Sequence, residues 1–474
     1  MRKFILYFSI IGFTAVAAQC DKESNGVSGD DQNKIAMDAW VTRGDQSVLL
    51  DHRQLQSPNA FNNTYPAVTV NEAVTFQTVD GFGYTLTGGS AMLINQLSTD
   101  KKKSLLQELF GLTAADMAIS YLRLSMGASD LDEEVFSYND LPPGETDIDQ
   151  QHFSIARDKI NLIPVLKQIL GINPSIKIIA TPWSPPVWMK DNSSSIGGSL
   201  KPEYYQSYAT YFVKYIEAMK AEGITITAIT PQNEPLHPGN NPSMYMSAEQ
   251  QRDFIKKALG PAFATAGLNT KIVIYDHNLD RPDYPLTVLS DGTARQYIDG
   301  SAFHLYAGNV NRMSEVHEAY PDKNIYFTEQ WTGANGSFDG DLLWHTKNVI
   351  IGTMRNWSKV ALEWNLANDP QYKPHTDGGC TECKGALTIR ENEYSRNVSY
   401  YIIGHASKFV PPGSKRIESN PTGPIQNVCF LTPDGKRVMI TANEESTPYT
   451  FNLKDNDKWA QITIEGKTVM TLVW

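Results

Sequence analysis

The clearest indication of the fold is the stretch Ile224-Thr-Ile-Thr-Ala-Ile-Thr230, followed by Pro231-Gln232-Asn233-Glu234-Pro235. The run of β-branched and small residues predicts a strand over residues 224–230. Proline lacks the N–H group that a strand ladder needs, so the strand ends at Pro231. Asn233 and Glu234 therefore lie at the carboxyl end of a strand, where parallel α/β folds carry their chemistry. A solvated turn carboxylate is the ordinary alternative for Glu234, and a second carboxylate facing it would argue against that alternative.

Strands and helices alternate on both sides of this stretch. A closed (β/α)8 barrel is the architecture that eight such repeats favour. An open doubly wound sheet would need a glycine-rich phosphate turn after its first strand, and Gly81-Phe82-Gly83 lacks the third glycine. The eight strands are predicted around residues 77–83, 118–124, 176–180, 224–230, 271–275, 297–306, 324–328 and 360–363.

Short β-like runs separated by turns flank the barrel at both ends, at residues 37–76 and after residue 390. This pattern is typical of a β-sandwich, and we expect the two segments to build one sandwich with the barrel inserted between them. The predicted organisation is a signal segment at 1–20, a flexible tether at 21–36, sandwich strands at 37–76, the catalytic barrel at 77–389 and the remaining sandwich at 390–474.

The first 20 residues have the character of an export signal. Arg2 and Lys3 precede an apolar run that is too short for an ordinary membrane-spanning helix. Cys20 follows directly and is typical of a lipoprotein signal, although Gln19 replaces the usual small residue, so plain secretion stays open. We expect a periplasmic, outer-membrane or cell-surface lipoprotein, or a secreted protein. The only membrane contact that we predict is a lipid on Cys20.

Composition limits the partners and the cofactors. The 474 residues carry a formal net charge of −11, which argues against nucleic acid as a partner. Cys380 and Cys383 could form half of a zinc site, but no second Cys or His pair with matching spacing lies nearby. A thioredoxin-like site lacks the helix that should follow, so we favour a local disulfide. Cys429 is predicted to be a buried strand residue. We predict no metal and no cofactor.

A constellation of polar and aromatic residues falls at the predicted strand ends, which converge on one face of a barrel. Its two glutamates, Glu234 and Glu329, follow strands four and seven, on opposing sides of the barrel mouth. Facing carboxylates are what glycoside hydrolysis needs. We predict Glu234 and Glu329 as catalytic residues; the predicted substrate-binding residues are Arg123, Asp130, Trp183, Asn233, His304, Tyr306, Trp331 and Trp364.

Nearby charges should determine which of the two glutamates is ionised. We expect Arg123 to hold Glu329 ionised, while a less charged setting raises the pKa of Glu234. Each feature also has an ordinary structural explanation: a core histidine for His304, and rim packing for Trp183 and Trp364. Metal catalysis is the main chemical alternative, but it needs clustered His and Asp ligands, and only His304 is well placed.

Seven short motifs follow one another along the chain: Gly81-Phe82-Gly83, Arg123 with Asp130, residues 181–190, Asn233-Glu234-Pro235, Thr328-Glu329, residues 364–367 and residues 404–410. In order and spacing, these motifs resemble glycoside hydrolase family 30, which includes lysosomal glucosylceramidase and microbial β-1,6-glucanases. The resemblance implies the barrel-plus-sandwich fold, retention of configuration, Glu234 as acid/base and Glu329 as nucleophile. It also implies that Asp130, Trp183, Asn233 and Trp364 hold the sugar in the −1 subsite.

The departures from the family pattern bear on the substrate. Leu305 stands where the glucosylceramidase pattern has Trp, and the Cys380–Cys383 loop is closer to the bacterial β-1,6-glucanase branch. A xylan-directed branch would want extra basic residues, which we do not find. The expected function is a retaining β-1,6-glucanase or β-glucosidase acting on a β-glucan or β-glucoside. The alternatives are a glucosylceramidase-type glucosidase and a non-catalytic glucan-binding lipoprotein.

Overall fold

A computed structural model of the chain describes residue 1, residues 33–57, residue 62 and residues 64–474. Most of the predicted signal segment, including Cys20, and most of the predicted tether lie outside the described residues. The end of the tether belongs to the folded protein instead. Lys34 forms a β-bridge with Trp459, and Ile35 is buried in the sandwich core. None of the helices in the described part of the chain combines the length and apolar character needed to cross a bilayer.

Eight parallel strands close into a barrel, as the alternation predicts. Each strand pairs with the next in the chain, and the eighth pairs with the first. Barrel strands 1 to 8 are Gly81–Thr85, Tyr121–Ser125, Lys177–Thr181, Ala228–Ile229, Lys271–Asn278, Ile298–His304, Asn324–Glu329 and Ser358–Asn365.

Side chains from successive barrel strands fill the interior of the barrel. Strand 1 approaches strand 2 too closely for a side chain, because a Cβ on Gly83 would lie 1.9 Å from the carbonyl oxygen of Tyr121. The glycine is therefore required where strand 1 packs against strand 2, and it is not part of a phosphate turn. The interior cluster consists of Tyr121, Ile179, Ala228, Val273, Ala302, Tyr326, Val360 and Leu362.

Helices surround the barrel and pack their apolar faces on it. A capping box begins the helix after strand 4, with Ser247 and Gln250 bonding each other's backbone N–H groups. The main helices are Gly88–Gln96, Thr99–Phe110, Leu162–Ile172, Tyr205–Ala221, Ala248–Phe254 continued to Thr265, Asp283–Ser290, Gly292–Arg295, Arg312–Ala319, Phe338–His345 continued to Arg355, and Val398–Ser407.

The sandwich combines strands from both ends of the chain, as predicted. Nine strands form one sheet over a separate apolar core that includes the buried Cys429. In sheet order they are Asp51–Leu55, Met37–Arg43, Thr468–Val473, Arg437–Asn443, Ile425–Leu431, Lys415–Ser419, Ala67–Thr78, Tyr449–Asp455 and Lys458–Ile464.

The helix Val398–Ser407 lies in a segment where we expected only strands. It is buried along nearly its whole length, so its sequence shows no alternation of apolar and polar faces. His405, on this helix, joins barrel and sandwich. Its Nε2 atom lies 2.8 Å from the hydroxyl of Thr42, and its Nδ1 atom lies 2.9 Å from the hydroxyl of Thr471. These two threonines belong to the neighbouring strands Met37–Arg43 and Thr468–Val473.

Candidate active site

A cavity of about 360 Å³ opens at the carboxyl end of the barrel strands. This is the face on which the predicted constellation should meet. Eight of the predicted site residues line it, as do several polar residues that we did not predict. The lining residues are Asp130, Trp183, Asn233, Glu234, His237, Asn240, His277, Asn278, Tyr306, Glu329, Trp331, Trp364, Cys380 and Cys383.

The two glutamates face each other across this cavity. One carboxylate oxygen of Glu234 and one of Glu329 lie within 4.8 Å of each other. Glu329 ends barrel strand 7, whereas Glu234 follows strand 4 in a turn with a φ angle of 42°. The backbone N–H of Glu234 donates to the carbonyl of Asp276 at 3.0 Å, which fixes this left-handed turn. Pro231 and Pro235 thus frame a turn that directs Glu234 toward Glu329.

Arg123 lies beneath the cavity, fully buried, and connects three of its residues. It donates to Glu329 Oε2 at 2.5 Å, to Asn233 Oδ1 at 2.7 Å and to Asp276 Oδ2 at 2.9 Å. Since the oxygen of Asn233 accepts from Arg123, its Nδ2 group is left as a donor at the cavity wall. Arg123 was predicted to touch the substrate, but it does not line the cavity, so it acts on the glutamate and the amide from below.

His304 is also buried below the cavity and does not line it. Its Nδ1 atom lies 3.2 Å from Glu234 Oε1 and 3.7 Å from Glu329 Oε1. Its Nε2 atom lies 3.1 Å from Asp276 Oδ1. His304 therefore bridges carboxylates; it is neither an isolated core histidine nor a substrate contact.

Asp276 is a central residue that sequence reasoning missed. It accepts from Thr230 at 2.8 Å and from Thr328 at 2.6 Å, in addition to Arg123 and His304. Tyr275 and Asp276 have φ angles of 74° and 65°, and the pairing register of strand 5 shifts there. A bulge of this kind turns a side chain toward a site. The signal was available, because Asp276 directly follows the predicted fifth strand.

The charges around the glutamates differ from our expectation. Burial would raise the pKa of Glu234, but the hydrogen bond and charge of His304 outweigh it and hold the pKa below its ordinary value. Burial raises the pKa of Glu329, helped by the charge of Glu234, more than His304 and Arg123 lower it. The prediction that Glu234 has the higher pKa of the two glutamates was therefore wrong for the unliganded site. The surroundings of Glu234 are the more positive, because His304 contacts it directly.

Charge balance explains this arrangement. Burial alone would lower the pKa of His304, but the nearby carboxylates raise it to about 9, so the ring is cationic at neutral pH. Arg123 and His304 supply two positive charges, and Asp276 supplies one negative charge because Arg123 and His304 outweigh its burial and depress its pKa. One further negative charge makes the buried cluster neutral. Glu234 and Glu329 can therefore share a single proton at low cost.

Glu234, His304 and Glu329 also form the one group of potential metal ligands found among the described residues. Their present bonds fit a proton-sharing cluster better than a metal centre. Both nitrogens of His304 already meet carboxylates, and Arg123 and Tyr306 each donate to an oxygen of Glu329. A divalent cation would have to compete with the two cationic side chains at this position.

Aromatic rings form one wall of the cavity. Trp183 and Trp364 are stacked with centroids 5.4 Å apart, and the guanidinium of Arg123 lies 4.9 Å from the Trp183 ring. Trp331 packs against the apolar cluster that this pair forms with Leu131 and Cys383. Tyr306 donates its hydroxyl to Glu329 Oε1 at 2.9 Å. Apolar faces beside hydrogen-bonding groups are the surface that a sugar ring requires.

Asp130 lies at the same wall. Burial, with the charges of Glu329 and Glu234, raises its pKa to about 7. Its neighbours Cys380 and Cys383 form a disulfide, which confirms the favoured prediction for this pair.

Four polar residues line the cavity that the sequence analysis did not predict: His237, Asn240, His277 and Asn278. The Nε2 atom of His277 lies 3.8 Å from Glu234 Oε1. Two polar residues at the end of strand 8 have structural roles. Asn365 accepts hydrogen bonds from Ser90 and Thr87, and Glu363 pairs with His345 at 2.7 Å.

Known proteins share both domains of this chain. The profile of the glycosyl hydrolase family 30 TIM-barrel domain matches residues 79–410, and that of the family 30 beta sandwich domain matches residues 413–472. The endo-1,6-beta-D-glucanase neg1 of Aspergillus fumigatus is 34% identical over 413 residues, 81% of this chain and 82% of its own length. The lysosomal acid glucosylceramidase of Mus musculus is 29% identical over 436 residues, 86% of this chain and 83% of its own.

Solved structures agree with these matches. The structure titled "The endo-beta1,6-glucanase BT3312" superposes with a TM-score of 0.86 at 35% sequence identity, and the match covers 93% of this chain and 99% of that one. The match to both family domains, the eight-stranded barrel and the paired glutamates all indicate the same family. The chain belongs to glycosyl hydrolase family 30 and is a glycoside hydrolase.

Proposed function

We propose that this hydrolase cleaves β-glucosidic bonds with retention of configuration, with Glu329 as nucleophile and Glu234 as acid/base. The observation that carries the proposal is the distance of at most 4.8 Å between carboxylate oxygens of Glu234 and Glu329. Retaining enzymes hold their carboxyl groups roughly 5–5.5 Å apart, whereas inverting enzymes need roughly 6.5–9.5 Å to admit a water molecule. The cavity thus suits direct attack on the anomeric carbon.

The shared proton must reside on Glu234 when the leaving oxygen departs. In the unliganded site the surroundings favour the opposite placement. Positive charge develops on the sugar beside Glu329 as the bond breaks, and this charge stabilises ionised Glu329. The shared proton therefore stays on Glu234 until Glu234 gives it to the leaving oxygen. In the second step Glu234 takes a proton from water, which attacks the glycosyl ester on Glu329.

We assign Asp130, Asn233, Trp183 and Trp364 to the −1 subsite, because all four line the cavity that holds Glu234 and Glu329. The free Nδ2 group of Asn233 is a donor for a ring hydroxyl, the interaction that strengthens at the transition state. Tyr306 contacts the nucleophile, and Trp331 extends the aromatic wall.

We propose β-1,6-linked glucan as the substrate. Glucanases with this specificity are among the relatives named above. The cavity is also lined by His237, Asn240, His277 and Asn278, whose polar groups suit the hydroxyls of a second sugar. Leu305 is buried in the barrel core and offers no aromatic surface to a lipid chain. Glucosylceramide is therefore the less favoured substrate, although a glucosylceramidase is also a relative.

Export is part of the same proposal. The character of residues 1–20 favours a protein that leaves the cytoplasm, and Cys20 is the residue that a lipid anchor would modify. Mass analysis of the mature amino terminus distinguishes a lipidated Cys20 from plain secretion, and an intact residue 1 in the mature protein would overturn export.

Product analysis tests the proposed function. The purified enzyme is incubated with β-1,3-, β-1,4- and β-1,6-linked glucans and with glucosylceramide. We expect fastest cleavage of the β-1,6 linkage and loss of turnover in Glu329→Gln, which keeps the shape of the side chain. Faster cleavage of the lipid would overturn the substrate, and near wild-type rates in Glu329→Gln would overturn the mechanism. Glucan binding without product release would favour a non-catalytic binding protein.

A further inference from the structure

A single loop, residues 376–385, joins several walls of the cavity. Thr376 donates its N–H to the carbonyl of Asp130 at 2.9 Å, and Asn241 donates to the carbonyl of Asp377 at 2.8 Å. At the other end of the loop, Ala334 donates to the carbonyl of Glu382 at 2.9 Å. The loop therefore contacts segments that follow barrel strands 2, 4 and 7. The disulfide Cys380–Cys383 lies in the middle of this loop, and both cysteines line the cavity.

One end of the disulfide contacts Asp130. The backbone N–H of Cys380 donates to Asp130 Oδ2 at 3.3 Å. The neighbouring Gly379 packs so closely that a Cβ there would lie 2.4 Å from the carbonyl oxygen of Asp130. The backbone of this loop thus orients Asp130, the carboxylate that we assign to the −1 sugar.

The other end of the disulfide is fixed to the opposite wall. Cys383 pairs with Gly333 in a two-stranded sheet, just after Glu329 and Trp331. Cys383 belongs to the buried apolar cluster that contains Trp183 and Trp364, and Asn368 donates to its carbonyl at 2.9 Å. The covalent bond therefore links the residue that holds Asp130 to the aromatic wall and to the strand end that carries Glu329.

We propose that the Cys380–Cys383 disulfide is a positioning element of the −1 subsite, which fixes Asp130 relative to Glu329 and thereby sets the affinity for the sugar. The proposal rests on the proposed function only in treating Asp130 as a sugar ligand. A bridge between cysteines three positions apart restricts the unfolded chain less than a long-range bridge does. Its location at the cavity wall is thus better explained by local geometry than by global stability.

The test compares wild type with Cys380→Ser/Cys383→Ser. We expect KM for an aryl β-glucoside to rise roughly 10- to 100-fold, the range for loss of a hydrogen bond to a charged group, with a much smaller change in kcat. Cys429→Ala is the matched control, because Cys429 is buried in the sandwich. An unchanged KM in the double variant, with a disulfide confirmed in wild type by peptide mass, would overturn the proposal.

A double-mutant cycle separates positioning from general structural support. In an Asp130→Asn background the cysteine substitutions should have little further effect on KM, since the group that the disulfide orients is already altered. A full additional loss in that background would show that the disulfide acts on something other than Asp130, and would contradict the proposal. Circular dichroism establishes that each variant is folded.

Crystal structures of wild type and Cys380→Ser/Cys383→Ser provide a readout that does not depend on turnover. We expect the Asp130 carboxylate to leave the N–H of residue 380 in the variant, and an unmoved carboxylate would contradict the proposal. If wild type cleaves no β-glucoside, the proposed function fails, whereas this structural comparison still decides whether the disulfide positions Asp130.

Discussion

Arg123 and Glu329 form an ion pair beneath the cavity, with Arg123 Nη1 2.5 Å from Glu329 Oε2. The Arg123 side chain is fully buried and that of Glu329 nearly so. A buried pair of this kind gives geometric order rather than large net stability, but losing one partner leaves an unpaired charge. Arg123 also holds Asn233 and Asp276, so one side chain orients the proposed nucleophile, a proposed sugar ligand and the carboxylate behind His304.

Arg123→Ala should therefore destabilise the protein. We expect the free energy of unfolding to fall by about 3–5 kcal/mol, the usual cost of removing one partner of a buried pair. Chemical denaturation measures this loss. Arg157→Ala is the matched control, because Arg157 forms an exposed pair with Glu134 and should change stability by about 0–1 kcal/mol. Equal losses in the two variants would contradict the role of Arg123.

Tyr306→Phe should narrow the pH range of activity. The Tyr306 hydroxyl donates to Glu329 and stabilises its ionised form. Without that bond the pKa of Glu329 rises, so the acidic limb of the pH–rate profile moves to higher pH. We expect kcat to fall about 10-fold at pH 6, from the loss of one hydrogen bond to a charged group. Tyr65→Phe, in the sandwich, should leave the profile unchanged; an unshifted limb in Tyr306→Phe would argue against Glu329 as the ionised nucleophile.

His304→Asn should change how stability depends on pH. The pKa of His304 is raised from 6.5 to about 9 in the folded protein. Its contribution is therefore fully present below about pH 6.5 and is lost as pH rises toward 9. The difference in unfolding free energy between wild type and His304→Asn should shrink over that interval.

His405 provides a control with the opposite sign. Burial lowers the pKa of His405 from 6.5 to about 3, so its contribution is present above pH 6.5 and is lost as pH falls. The difference between wild type and His405→Asn should thus shrink on acidification. Parallel pH dependence of the two variants, measured by denaturation from pH 5 to 9, would be inconsistent with a cationic His304.

Asp130→Asn should raise the free energy of unfolding at high pH and weaken substrate binding. Burial and neighbouring charges raise the pKa of Asp130 from 3.8 to about 7, so ionising it in the folded protein costs free energy at higher pH. The stability that the protonated form provides is lost as pH rises through 7. We expect Asp130→Asn to be more stable than wild type at pH 8, by up to about 4 kcal/mol, and little changed at pH 4. It should also have a higher KM, and a variant less stable than wild type at pH 8 would refute this.

Much of the architecture follows from local pattern. The predicted strand at residues 224–230 and the alternation around it predict the barrel, because strand ends are set by nearby residues. Only Ala228–Ile229 of this run pairs as a strand, so its predicted length was wrong. The glutamates and the aromatic wall were predicted because each follows a strand. Pattern failed at the helix Val398–Ser407, which is buried on all sides and has no amphipathic period.

The electrostatics could not be read from the sequence in the same way. The pKa order of Glu234 and Glu329 depends on which glutamate His304 contacts, and that depends on a bulge at Tyr275 and Asp276. The depth of a residue is equally hidden: Arg123 and His304 are at strand ends but lie below the cavity. His277 and Asn278 belong to the extended end of strand 5, and the predicted strand stopped short of them.

Trapping the covalent intermediate identifies the nucleophile. With 2-deoxy-2-fluoro-β-glucosyl fluoride, fluoride leaves and the sugar C1 forms an ester with the nucleophile, while the 2-fluoro group slows hydrolysis of that ester. Peptide mass analysis then identifies the labelled residue. We expect one fluoroglucosyl group on the peptide that contains Glu329 and none in Glu329→Gln. A label on Glu234, or full activity with no label on Glu329, would contradict the proposal that Glu329 is the nucleophile.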